Sequence, residues 1–301
     1  MQILKVLPKN LLSRVVGELA SIESPEVVSL AARDWFIKQY KINMDEAELP
    51  LSEYPSVAKL FTRKLKPGAR PIVEGIVHPC DAKLTCAEVI DGDSLIQAKG
   101  RHYSLAKLLG ARENELLDSS GSQRDLNSAA VLPSNSLKHS QKKELLIQPS
   151  EFLGGTHLVY YLCPTDYHRV HAPVAGEVVQ VVHIPGQLWP VNDWSVSRIP
   201  ELFAVNERVI FYLRTALGPV ALIMVGATNV GKISVSFDEE IVTNQSRFGS
   251  PFIKSYVRPI KIEKGQELGI FHMGSTVVML YGPGQMNVLP ATGPVRLGES
   301  V

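Results

Sequence analysis

Glu177-Val178-Val179-Gln180-Val181-Val182-His183-Ile184, Arg208-Val209-Ile210-Phe211-Tyr212-Leu213 and Val220-Ala221-Leu222-Ile223-Met224-Val225 are short runs rich in β-branched and aromatic residues. They are too short for buried helices, and their composition is that of strands. Ile233 to Phe237 adds a strict apolar/polar alternation, and Thr276 to Leu280 a further run of the same kind. All of them lie beyond residue 66. Upstream, between Leu11 and Tyr40, the apolar positions Leu12, Val15, Val16, Leu19 and Ile22, then Val27, Val28, Leu30, Ala31 and Trp35, recur at helical spacing. Ser24-Pro25-Glu26 predicts a serine N-cap with proline at the first helical position, which divides this stretch into two helices. Helices first and strands after, without βαβ alternation, predict an α+β protein with a mostly antiparallel sheet body. The expected division is a helical region over 1–65 and a catalytic domain over 66–301. The turns His78-Pro79-Cys80-Asp81 and His171-Ala172-Pro173-Val174 look alike, each placing His and Pro before a strand, which points to a weak internal duplication.

The chain has 301 residues, 45% of them hydrophobic and 20% charged, enough to bury a substantial core. A net charge of +1 leaves no electrostatic footprint for nucleic acid. Cys80, Cys86 and Cys163 show no C-x-x-C spacing, which argues against a disulfide framework or a metal site and for a reducing, cytosol-facing compartment. No uncharged apolar run reaches the roughly 18 residues that a membrane-spanning helix needs. Lys5, Lys9 and Arg14 interrupt what would be the apolar core of a signal peptide. The first helices have two readings: they pack on the core, or the basic, leucine-rich first helix lies in a membrane interface with its cations toward anionic headgroups. Between Gly110 and Glu151 a polar stretch with few large apolar residues reads as a mobile loop or surface insertion.

Gly226 to Ile233, GATNVGKI, nearly satisfies the phosphate-loop pattern, but Ile233 stands where a hydroxyl must ligate magnesium, and the alternation that follows is a strand rather than a helix. The commonest hydrolase, metalloprotease and dinucleotide motifs are absent from the sequence. Three local features remain: Asp81 in a His-Pro-Cys-Asp turn, His168 and His171 in Asp166-Tyr167-His168-Arg169-Val170-His171, and Gly274-Ser275-Thr276. Each alone has an ordinary structural explanation. Together they hold a carboxylate, two imidazoles and a serine, the minimum set for activating a hydroxyl nucleophile.

HPCDA, QAKGRHYSLAKLLG, FLGGTHLVYYLCPTDYHRVHAPVAGEV, LFAVNERV, VGATNVGKI and KGQELGIFHMGSTVVML occur in one order over about residues 50–285. In this the chain resembles the pyruvoyl-dependent phosphatidylserine decarboxylase proenzymes of the bacterial, membrane-associated type. It departs from their usual pattern in Met273, where leucine is common, in Ala82, where glycine is common, and in a longer insertion over Ala111 to Ser150. The resemblance implies that Ser275 attacks the Gly274 carbonyl, cutting the chain into 1–274 and 275–301 and turning Ser275 into a covalent pyruvoyl cofactor. It implies His171 as the base, Asp81 as the carboxylate that orients it, and His168 as the proton donor during turnover, when the pyruvoyl carbonyl condenses with the headgroup amine and acts as an electron sink. The implied product is phosphatidylethanolamine. The implied partners are phosphatidylserine, a membrane surface held peripherally on the cytoplasmic side of the cell membrane, and the two self-cleavage chains in association. A homodimer stays open. Trp189 and Trp194 are read either as headgroup-depth anchors or as part of a lid or core.

Three other readings compete. PVAGEVVQV is similar to the turn-and-strand pattern of biotinyl and lipoyl carriers, which relates the duplicated halves to barrel-sandwich hybrids, yet no Met-Lys-Met follows. A serine hydrolase would use Ser275 as an ordinary nucleophile, and an inactive membrane scaffold would leave the whole set idle.

Overall fold

The computed structural model describes residues 9–98, 101–111, 145–228, 232–244, 251–272 and 275–301. Two helices come first, α1 (Lys9–Ala20) and α2 (Glu26–Tyr40), then the short α3 (Val57–Phe61). The strands are β1 (Ala82–Val89), β2 (Ser94–Ala98), β3 (Arg101–Ser104), β4 (Thr156–Leu162), β5 (Arg169–His171), β6 (Gly176–Ile184), β7 (Arg208–Thr215), β8 (Gly218–Val225), β9 (Ile233–Val235), β10 (Asp238–Val242), β11 (Phe252–Ile262), β12 (Glu267–Phe271), β13 (Ser275–Tyr281) and β14 (Gly293–Val295). Short helices α4 (Leu105–Leu109), α5 (Asp193–Val196) and α6 (Leu202–Val205) sit in the connections. The expected α+β order is the observed one.

An 8-stranded sheet runs β11-β6-β7-β8-β13-β4-β1-β14, and a 4-stranded sheet runs β10-β9-β12-β5. Their paired neighbours are antiparallel. β7, β8 and β13 are apolar along nearly their whole length and buried on both faces, as suits strands at the centre of a covered sheet. β11 at the edge is largely exposed and carries Pro259, which an edge strand tolerates because it need not donate on its outer side. One apolar core joins the sheets: Met224 of β8 packs so closely on Gly269 of β12 that a Cβ there would stand 2.8 Å from the Met224 sulfur.

Two expectations need adjustment. Pro25, not Ser24, occupies the N-cap of α2: it is extended (φ −69°, ψ 137°), and its carbonyl accepts from Val28 and Ser29. Proline costs nothing there, since an N-cap N–H has no helical partner to lose. The strand read through Phe237 stops at Val235, because the chain turns at Ser236-Phe237 into β10. Residues 229–231 of the GATNVGKI stretch and most of the polar 111–150 stretch lie outside the described residues.

The N-terminal region has its own small core of Phe36, Ile42, Ala47, Tyr54, Leu60 and Phe61. The helical periodicity of the first stretch does not all face inward, since Val15, Leu19, Ile22, Val27, Val28 and Trp35 are exposed. The two similar turns lie side by side, with Val77 N–H donating to Pro173 O (3.0 Å) and His171 N–H to Pro79 O (2.8 Å).

Arg208 locks α4 to the sheet. Buried, it donates to the carbonyls of Lys107 (2.6 Å), Leu108 (2.7 Å), Ala204 (2.6 Å) and Asn206 (2.9 Å), the kind of orphan acceptors that a helix end leaves. Arg208→Met is expected to cost about 3 kcal/mol, because it strands several buried acceptors at once. The check is a lowered urea midpoint at unchanged m-value.

Candidate active site

β12 ends at Phe271, whose N–H donates to His168 O (2.9 Å), and β13 begins at Ser275, paired with Leu162. Between them the chain crosses from the small sheet to the large one. The β4–β5 connection, residues 163–168, makes the opposite crossing alongside and carries His168. Two residue pairs, Leu162–Ser275 and His168–Phe271, therefore frame the junction that holds Gly274. Met273 and Gly274 themselves lie outside the described residues, and of Ser275 the backbone alone is described.

His168 is fully buried, with Nδ1 2.8 Å from Asp166 O. His171 has Nδ1 2.8 Å from Gly265 O. A carbonyl only accepts, so each Nδ1 carries the proton and each Nε2 presents a lone pair. Both Nε2 atoms are buried, with no hydrogen-bond partner among the described residues. A buried imidazole nitrogen with a free lone pair can accept a hydrogen bond or take a proton. Burial pushes the His168 pKa down to about 3, against the raising effect of the Asp166 carbonyl. Burial also lowers that of His171, opposed first by the Gly265 carbonyl and more weakly by the charges of Glu267 and Asp81. Phe61 lies on the His168 ring, centroids 3.9 Å apart, and Tyr167 stands by His171 at 5.6 Å.

Asp81 is not placed as the sequence suggested. Its carboxylate takes a forked hydrogen bond from Arg70 Nε (2.9 and 3.0 Å) and Nη2 (2.5 Å), plus Leu297 N–H (2.9 Å). The expected direct Asp81–His171 hydrogen bond is not formed, since the imidazole donor is taken by Gly265. The physical reason is competition: a guanidinium matches both carboxylate oxygens and carries a full charge, which a neutral imidazole does not. Asp81 acts on His171 through its charge, favouring the protonated ring. Arg70 also binds Glu46 Oε2 (2.8 Å), and this hydrogen bond leads the depression of the Glu46 pKa.

Arg70, Phe61 and the Gly265 carbonyl escaped the sequence reading. None has a local signal: Arg70 follows an unremarkable Lys66-Pro67-Gly68 turn, Phe61 reads as helix core, and a backbone acceptor has no residue type.

The phosphatidylserine decarboxylase family profile matches residues 57–301 of the chain. Among similar proteins, each called a phosphatidylserine decarboxylase proenzyme, that of Anaeromyxobacter sp. (strain K) is 37% identical over 98% of this chain and 95% of its own. That of Myxococcus xanthus is 37% identical over 100% of this chain and 96% of its own. That of Hahella chejuensis is 38% identical over 98% and 90%.

Because the folded-state pKa of His168 lies near 3, below its unfolded value of about 6.5, the unfolded chain takes up the proton first as pH falls. The site therefore contributes stability above pH 6.5 that is lost between pH 6.5 and 3. His168→Gln should flatten the pH dependence of stability in that window by up to about 1.4 kcal/mol per pH unit, read from urea midpoints at pH 7 and 5.

Proposed function

Because the chain belongs to the phosphatidylserine decarboxylase family, we propose that it is made as a proenzyme and activates itself by cutting between Gly274 and Ser275. The observation that carries this reading is the pair of imidazoles, each with Nδ1 held by a carbonyl and a buried Nε2 that has no partner among the described residues, His168 beside the end of β12 that leads to β13 and His171 opposite Glu267 at its start.

His171 Nε2 takes the Ser275 hydroxyl proton as Oγ adds to the Gly274 carbonyl. The imidazolium is stabilised by the Asp81 charge and returns the proton to the departing amide nitrogen, so that an ester replaces the peptide bond. Elimination then leaves Gly274 with a free carboxylate and residue 275 as dehydroalanine, which adds water and releases ammonia. Glycine at 274 leaves the carbonyl open to attack, having no Cβ.

A pyruvoyl carbonyl at residue 275 supplies the electron sink for loss of CO2 from the headgroup serine. His168 serves the proton account of turnover. Neutral at rest, it accepts at Nε2 the proton that the headgroup ammonium must shed to react, and delivers it to the carbon that has lost CO2. The dry surroundings that depress its pKa prevent it from holding the proton idly from solvent.

Cleavage leaves the 275–301 piece in place on this reading. β13 is hydrogen-bonded on both edges, to β8 and β4, and Gly298, Glu299 and Val301 bond to residues 73–78. Peripheral attachment to the cytoplasmic side of the cell membrane is supported by the apolar residues that α1 and α2 turn outward, among them Val27 (80% exposed) and Trp35 (61%). No helix among the described residues is long and apolar enough to cross a membrane. Trp194 is partly exposed beneath Arg198, whereas Trp189 is clasped through its backbone by Asn206.

Intact mass of purified protein is expected to show two pieces, 1–274 and 275–301, the smaller with a blocked N-terminus. A single chain in active protein would sink the proposal. Ser275→Ala should abolish cleavage and CO2 release together. His171→Ala should slow cleavage by a hundredfold or more, the usual scale of a lost general base. His168→Ala should cleave and yet fail to turn over, which a denaturing gel and a CO2 assay read separately.

A further inference from the structure

A cavity of about 400 Å³ opens between the 41–70 segment, Asp81, residues 165–167, which lead directly to His168, and residues 294–299. Its charged groups are mostly committed. Arg70 is held by Asp81 and Glu46, Asp166 accepts from Cys163 N–H and the Thr165 hydroxyl, and Glu299 accepts from Arg296 N–H. Arg63 differs. It is 5% exposed and, among the described residues, forms no ion pair and finds no partner for its buried Nε–H, the charges of Asp81 and Glu46 acting on it only from a distance. Its other contacts are two long ones, Nη1 to Leu60 O (3.4 Å) and Nη2 to Thr165 O (3.3 Å). A buried guanidinium so poorly satisfied is costly unless an anion completes it.

Its place ties it to the reaction. Phe61 lies on His168, Arg169 Nε and Nη2 clasp Thr62 O (3.0 and 2.8 Å), and Arg63 reaches Thr165. Three consecutive residues of the N-terminal region are thus fitted along the segment that carries His168.

We propose that Arg63 binds a phosphate oxyanion in this cavity, that of the lipid headgroup's phosphodiester, and so sets the distance at which the serine moiety meets His168. The headgroup offers two anions, and the reaction chooses between them. The carboxylate becomes neutral CO2, so an ion pair to it would be lost at the transition state and would slow the step. The phosphodiester keeps its charge throughout, so a fixed cation beside it binds ground and transition states alike. The signature of uniform binding is a raised KM at nearly constant kcat. This inference rests on the reading that the headgroup reacts beside His168.

The test uses full-length Arg63→Gln and Arg63→Lys, first confirmed by gel to have cleaved, with dispersed short-chain phosphatidylserine as substrate. Arg63→Gln is expected to raise KM about tenfold or more with kcat within about twofold, and Arg63→Lys to recover part of it, since lysine keeps the charge and loses the fork. Inorganic phosphate that competes with wild type and not with Arg63→Gln would mark a site for any phosphate. A KM shift without such competition would mark one that needs the whole phosphodiester. Cleaved Arg63→Gln with unchanged KM, or with kcat alone reduced, overturns the proposal. Should Arg63→Gln stay uncleaved, Arg63→Lys carries the same comparison, and an unchanged KM there overturns it. An uncleaved wild type would instead refute the self-cleavage reading, so the two failures are distinct.

Discussion

Strand β13 is hydrogen-bonded to β8 along one edge and to β4 along the other, in the middle of the large sheet. The proposed self-cleavage depends on that pairing. A peptide bond just before such a strand can be broken without loss of structure, because the new N-terminus is held by ladder bonds and buried side chains from Val277 to Tyr281 rather than by the residue before it. The same strand sets the height of residue 275 against Leu162, from which the chain departs toward His168.

The imidazoles are prepared by the absence of water as much as by the presence of partners. Two backbone carbonyls fix the tautomers, and burial removes competing protons from both Nε2 atoms. The carboxylate Asp81 stays one step away, hydrogen-bonded by Arg70, and acts on His171 through its charge rather than a direct bond. Arg70 in turn joins Asp81 to Glu46, which brings the N-terminal region into the electrostatics of the site.

The N-terminal region packs on the segment that carries His168. Its small core ends in Leu60 and Phe61, and the next residues run along the histidine-bearing segment. Its opposite side turns Val27, Val28 and Trp35 to solvent. On the proposed reading, a region that meets a lipid surface through one face and packs on His168 through another couples where the protein sits to what it can reach.

The fold class was legible because strand signals are local: β7, β8 and β13 are continuous apolar runs that no helix of that length would need, and they paired as an antiparallel body after a helical start. The histidines and Ser275 stand out in the sequence as candidates for a reactive set because their chemistry belongs to residue types that the sequence displays. By itself the sequence determined these elements, their order and the family. It did not determine partners, because a side chain's partner is set by distance in space. Ser24 looked like a cap and Pro25 was the N-cap; Asp81 looked like the partner of His171 and was taken by Arg70. Tertiary structure decided those, along with the Nε2 atoms and the Arg63 Nε–H that find no partner among the described residues, since burial and competition among acceptors exist only once the sheets have closed on each other.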